Sequence, residues 1–199
     1  MADLEKTGKN LEGRGFRVHR FASGAEAAEF LVQTLHGTSI GIGGSVTIDT
    51  LGVYDRICES NEVFWHWKNH APETRERAGK AEAYLCSANG VSENGEIVNI
   101  DGFGNRVAGT IYGPERVFLV VGRNKIAPDL TGAIDRARNI AAPLNARRLN
   151  RHTPCAVGEP RCHDCRSPEK VCGVMTVFFM PPTSIKEFHV ILVDEDLGY

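Results

Sequence analysis

Five consecutive apolar β-formers, Val117-Phe118-Leu119-Val120-Val121, constrain this chain more than any other segment. A strand without polar alternation has no face to give to water, so it needs cover on both sides, as in the middle of a parallel sheet. Other strand-like runs flank it at 15–21, 39–42, 62–67, 83–86, 96–100, 174–180 and 188–193. Helical patterns fall between several of them. Ser23-Gly24-Ala25-Glu26 has capping-box form and opens a helix with Ala27, Phe30, Leu31, Val32 and Leu35 on one face, ended at Gly37. Ser45 is placed to cap a helix running through Val46, Leu51, Val53 and Ile57. Pro72 opens a short charged helix, and 105–112 forms another. Asp129 to Ala142 predicts the best-defined helix, which Pro143 ends or kinks. The charged first dozen residues predict a loose helix anchored by Leu4 and Leu11, and Asn89-Gly90 and Asn94-Gly95 read as turns. Together these predict one α/β domain over 1–199. It has a mostly parallel sheet, helices on both faces and a Cys-rich loop at 152–172.

Composition narrows the functional classes. With 199 residues, 42% hydrophobic, the chain has enough apolar material for one sizeable core. A formal net charge of −2 gives no electrostatic support to nucleic-acid or anionic-membrane binding. No apolar run approaches the roughly 20 residues of a spanning helix. The start, MADLEKTGKN, lacks an apolar signal core, so a cytoplasmic protein is expected.

Three polar clusters follow strand patterns. In Gly41-Ile42-Gly43-Gly44-Ser45 the glycines let backbone N–H groups converge. Ser45 and Thr47 add hydroxyls, so Gly43, Gly44, Ser45 and Thr47 form an anion seat or else a tight packed turn. Asn99 to Arg106 places Asp101, Asn105 and Arg106 among glycines: Asp101 is a candidate general base and Arg106 a candidate carboxylate or phosphate clamp. Turn formation is the competing explanation. Asn124 and Lys125 follow the apolar strand, where a lysine faces either a cleft or solvent. Cys58 and Cys86 read as buried packing residues, His66 as structural, and Trp65 and Trp67 as core or a pocket wall. Asn145, Arg147 and Arg148 read as a solvated helix end.

Four of the six cysteines, Cys155, Cys162, Cys165 and Cys172, crowd one Pro-rich segment. In a reducing compartment such thiols point to metal or redox chemistry. The single CxxC with two outlying thiols suits a [4Fe–4S] iron–sulfur cluster somewhat better than zinc, the alternative, for which His152 or His163 could replace a sulfur. Arg161, Arg166 and Lys170 would offset the charge of a tetrathiolate site.

Several motifs carry a family resemblance over nearly the whole chain: 41–47, 99–108, 120–126, 141–150, the Cys segment 153–172 and the terminal Asp-Leu-Gly-Tyr. The sequence resembles the single-domain LUD (lactate utilization) proteins, in a Cys-rich subgroup. The resemblance implies a fold similar to ribose-5-phosphate isomerase and coenzyme A transferases. It also implies a ligand site at strand C-termini using Gly43, Gly44, Ser45, Asn89, Asp101, Asn105 and Lys125. A subunit of an oxidoreductase system for lactate oxidation is then expected. Its partners would be a small anionic metabolite, other iron–sulfur proteins of lactate oxidation and further copies of the same chain. An isomerase- or transferase-like enzyme on a sugar phosphate or acyl substrate, with Asp101 as base and structural zinc, is the alternative. A non-catalytic binding or scaffold subunit is a third.

Overall fold

The computed structural model describes residues 3–199; Met1 and Ala2, the first positions of the expected N-terminal helix, lie outside them. Six strands form one all-parallel sheet: β1 (Arg17–Phe21), β2 (Ser39–Ile42), β3 (Glu62–Trp65), β4 (Ala83–Ser87), β7 (Arg116–Gly122) and β10 (Glu187–Val193). Their spatial order is β1-β10-β7-β4-β2-β3. The apolar run lies within β7, paired with β10 on one side and β4 on the other. Val117, Leu119 and Val121 enter one core and Phe118 and Val120 the other, all fully buried. That is why the run carries no polar alternation.

One face of this sheet is covered by α2 (Gly24–Thr34), α3 (Val46–Thr50) and α4 (Tyr54–Cys58). The other meets α1 (Leu4–Gly13), α5 (Thr74–Lys80) and, beyond the expectation of helices alone, a second sheet. It comprises β5 (Gly90–Ser92), β6 (Ile97–Asp101), β8 (Ile126–Ala127) and β9 (Val174–Phe178), in the order β8-β5-β6-β9. β6 is antiparallel to β5 and β9, while β5 and β8 are parallel. Its far face, with Val98 and Ile100, packs on Ala133, Ala137 and Ala142. α6 (Asn105–Ile111) follows β6.

Ser23 caps α2 by accepting from the Glu26 N–H, and the Glu26 carboxylate reaches back to Ala22 N–H. Four expectations need correction. The helix expected from Ser45 through Ile57 breaks in two between α3 and α4, where Gly52 takes φ +63°. Asn89-Gly90 is no turn: Gly90 starts β5, and a Cβ there would come within 2.5 Å of the Ala133 carbonyl oxygen, so a close approach explains the glycine. Asn94-Gly95 does form the turn, with Gly95 at φ +91°. Of the two outcomes expected at Pro143, an end to the helix is excluded. After α7 (Leu130–Arg136) a π-helical turn spans Ala137–Ala141, and α8 (Ala142–Arg148) begins with Pro143 in its first turn, where no N–H partner is required. Cys58 is exposed, because it falls in the last turn of the five-residue α4; Cys86 is buried as expected.

Candidate functional site

β2, β4, β6 and β7 end around one cleft of about 710 Å³. Parallel sheets commonly bind ligands at this edge, beyond the strand C-termini. Eight of the residues singled out by sequence line it: Gly44, Ser45, Thr47, Asn89, Asp101, Asn105, Arg106 and Lys125. Two do not. Gly43 lies beneath it, where a Cβ would press on Tyr84, Cys86 and the stem of Arg106 at 3.1–3.2 Å. Asn124 turns away to clamp the C-terminal segment, accepting from Leu197 N–H and donating to the Gly198 carbonyl, each at 3.1 Å.

Local chemistry places the others. Ser45 Oγ accepts from the Ile48 N–H at 3.3 Å and so caps α3. Asp101 ends β6 and holds the start of α6. Its Oδ2 accepts from Arg106 N at 2.9 Å and Val107 N at 3.2 Å, and its Oδ1 from Phe103 N at 3.2 Å. Asn89 joins the two sheets: its Oδ1 accepts from Ile100 N at 2.8 Å and Arg106 Nη2 at 2.7 Å, and its carbonyl accepts from Arg136 Nη1 at 2.5 Å. Arg106 also donates to the Ile100 carbonyl.

Lys125 is the opposite of a solvated lysine. It is 2% exposed, and its Nζ lies 2.7 Å from Thr47 Oγ1 and 2.8 Å from Ser87 Oγ. Burial, followed by the Arg136 and Arg106 guanidinium charges, holds its ammonium well below the usual lysine range. Arg136, buried against Asn124 and Asn89, is lowered to about 10 and stays charged at neutral pH.

Further residues complete the wall beyond the candidate site residues. His66 lines the cleft, its Nδ1 buried without a partner; burial foremost, then Arg75, lowers it to about 4 while Asp101 opposes the shift. Trp67, one of the two expected wall or core tryptophans, stacks on Trp65 and carries Arg148 over its ring at 4.5 Å. Arg148 also donates to Tyr199 Oη at 2.9 Å, and Tyr199 donates to Asn145 at 3.1 Å. What reads as a solvated helix end is therefore a cleft wall. Arg147, its neighbour, turns to the carbonyls of Ala156 and Gly158 and ties down the Cys-rich segment. Arg75, Arg106, Arg148, Arg151, Lys170 and Arg136 bring positive charge to or just behind a cleft whose acidic residues are Asp101 and Glu169. Nothing in the local sequence marks Arg136, the last residue of α7.

Cys155, Cys162, Cys165 and Cys172 line a second cavity of about 310 Å³, with Arg138, His163, Asp164 and Lys170. Arg138 Nη2 lies 3.3 Å from Cys162 Sγ. Burial raises the Cys172 thiol and the other three thiols push it further, while Lys170 pulls it down. Among the described residues, no three His, Cys, Asp or Glu side chains form a group able to hold one metal ion.

Among the described residues no helix is long and apolar enough to cross a membrane. No curated protein matches the sequence. The crystal structure of a DUF162 family protein from Deinococcus radiodurans is similar in fold. Its TM-score is 0.55 and its identity 14%, over 96% of this chain and 95% of that one. The family model described as the LUD domain matches residues 4–193, and the chain accordingly belongs to the LUD-domain family.

Proposed function

We propose that this protein binds a small anionic metabolite in the cleft, a 2-hydroxy acid foremost and otherwise a phosphorylated or acyl compound. It holds a [4Fe–4S] cluster on Cys155, Cys162, Cys165 and Cys172, with a redox role in lactate oxidation alongside other iron–sulfur proteins. The observation that carries this reading is a shared wall: Ile100, Ala142, Lys170 and Val171 border both the cleft and the thiol-lined cavity. A ligand and an electron carrier would then be separated by one layer of side chains.

What supports the cluster is the donor set: four thiols border one cavity of about 310 Å³, room for more than the single ion that a zinc site holds with thiolates at about 2.3 Å. Arg138 and Lys170 offset the negative charge of a tetrathiolate centre. When bound, the cluster supplies one-electron transfer. In the cleft, Arg106 and Arg148 are placed to meet a carboxylate and Gly44 leaves room beside His66 and Trp67. Binding is favoured over base catalysis by Asp101, because both of its oxygens are taken by backbone N–H groups of its own loop and helix.

The test is metal and acid-labile sulfide analysis after anaerobic purification. About four iron and four sulfide per chain are expected, with the broad absorbance of iron–thiolate bonds. A colourless protein containing zinc would remove the redox role.

A further inference from the structure

The floor of the cleft carries a side chain whose valences are not all used. Both hydroxyls that touch Lys125 spend their protons elsewhere: Thr47 Oγ1 donates to the Leu197 carbonyl at 3.2 Å, and Ser87 Oγ to the Val120 carbonyl at 2.6 Å. Toward Lys125 they act as acceptors, and they take two N–H groups of its amine. A third N–H, present only in the ammonium, has no acceptor there. In the neutral amine that position is the lone pair. No carboxylate offsets the charge: the ions that act on Lys125 are the guanidinium groups of Arg136 and Arg106, and the Cys86 thiol is itself pushed up to about 12 by burial. An amine that is desolvated, free of a counter-ion and bordering a cleft is the arrangement that activates lysine as a nucleophile.

We propose that Lys125 forms an imine with the carbonyl of a small 2-oxo acid or aldehyde whose anionic group is held by the cationic wall of the cleft. This rests on the reading of the cleft as a site for small anions and names the reactive group it would take. A 2-oxo acid is the oxidised form of a 2-hydroxy acid, so one wall suits both. The lone pair of Nζ attacks the carbonyl carbon. A C–N bond forms as the C–O π bond breaks, and the oxygen takes a proton. The carbinolamine then loses its hydroxyl and a nitrogen proton as water, leaving C=N. No electron leaves or enters.

The experiment treats the intact chain at pH 7 with glyoxylate, and separately with pyruvate, in the presence of sodium cyanoborohydride, which reduces C=N to a stable secondary amine. Peptide mass spectrometry then locates the adduct among the seven lysines. Lys125 is expected to be labelled at least about tenfold more than each of the other six, since surface amines are almost wholly protonated at that pH. Excess lactate, which has the carboxylate but no carbonyl, is expected to suppress the adduct. Labelling that spares Lys125 or spreads evenly over the lysines with both acids overturns the inference. The wild-type peptide map suffices even if Lys125→Met fails to fold. Thermal shifts with lactate and glyoxylate separate the two readings: a shift without an adduct on Lys125 overturns the imine alone, and neither a shift nor an adduct overturns both.

Discussion

Asp101 and His66 line the same cleft, the first with both oxygens engaged by backbone N–H groups and the second with its Nδ1 unpaired. An aspartate among glycines after a strand has two ordinary uses, base or cap, and three N–H contacts show that Asp101 at least caps its loop and helix. His66, in contrast, sits in a strand-like run whose alternation gives no sign that its ring will be enclosed beside Arg75, Arg148 and His70. Its lowered value, about 4 against 6.5 for a free histidine, has a consequence for stability. Between those two values the unfolded chain binds the proton and the folded one resists it. The contribution is therefore complete above about pH 6.5 and is lost progressively as pH falls toward 4. Urea unfolding from pH 7 to 4 is expected to show a steeper loss for wild type than for His66→Gln. An anion bound beside the ring is expected to raise the His66 value, visible as a shift in its NMR titration.

Elements were legible where local chemistry decides them. The cap of α2 by Ser23, the cap of α3 by Ser45 and the doubly covered β7 all rest on a few adjacent residues, and these are recognised in the sequence. Continuity between elements was less so. A proline at 143 reads as a stop or a kink, and a π-helical turn in front of it lets the chain continue into α8 and carry Asn145 and Arg148 to the cleft. Spacing of elements is set by glycines whose purpose is also tertiary. At Gly41, in β2, a Cβ would come within 2.0 Å of the Ala78 carbonyl oxygen in α5. The contact is backbone, so a side-chain rotation gives no relief. Gly41→Ala is expected to cost about 3 kcal/mol or more by pushing α5 off the sheet. Equilibrium urea unfolding measures it; a loss below about 1 kcal/mol would mean that helix and strand separate freely.

At the scale of the molecule, a well-packed six-stranded layer supports a thinly held Cys-rich segment. Within 152–172 the regular structure is the single turn α9 (Pro154–Val157). The segment is fastened to the rest by Arg147 on Ala156 and Gly158, Asn139 on Cys162 N, and Arg138 on Cys162 and Asp164. Few buried apolar contacts and few backbone hydrogen bonds make such a region open at low free energy. If four thiols share a cluster, its removal takes away the strongest fastening. Chelation of iron from the anaerobically prepared protein is expected to expose 152–172 to limited proteolysis while the thermal midpoint of the sheet core changes little. Equal resistance before and after chelation would mean that no metal holds the segment.

The sequence alone determined the parallel α/β architecture, the central strand and the helix caps, because each depends on neighbours within one turn or one strand. It also marked the glycine turn, the Asp101–Arg106 loop and the four thiols as chemically distinctive. Only the tertiary structure decided which of these face one another. It inserted a second sheet between the main sheet and α7, turned Asn124 to the C-terminal segment, and enclosed Lys125 between two hydroxyls from β4 and α3. It also brought Arg148 and Tyr199, far apart in the chain, onto the same wall. Burial and charge at such positions are sums over residues distant in sequence, and no local pattern records them.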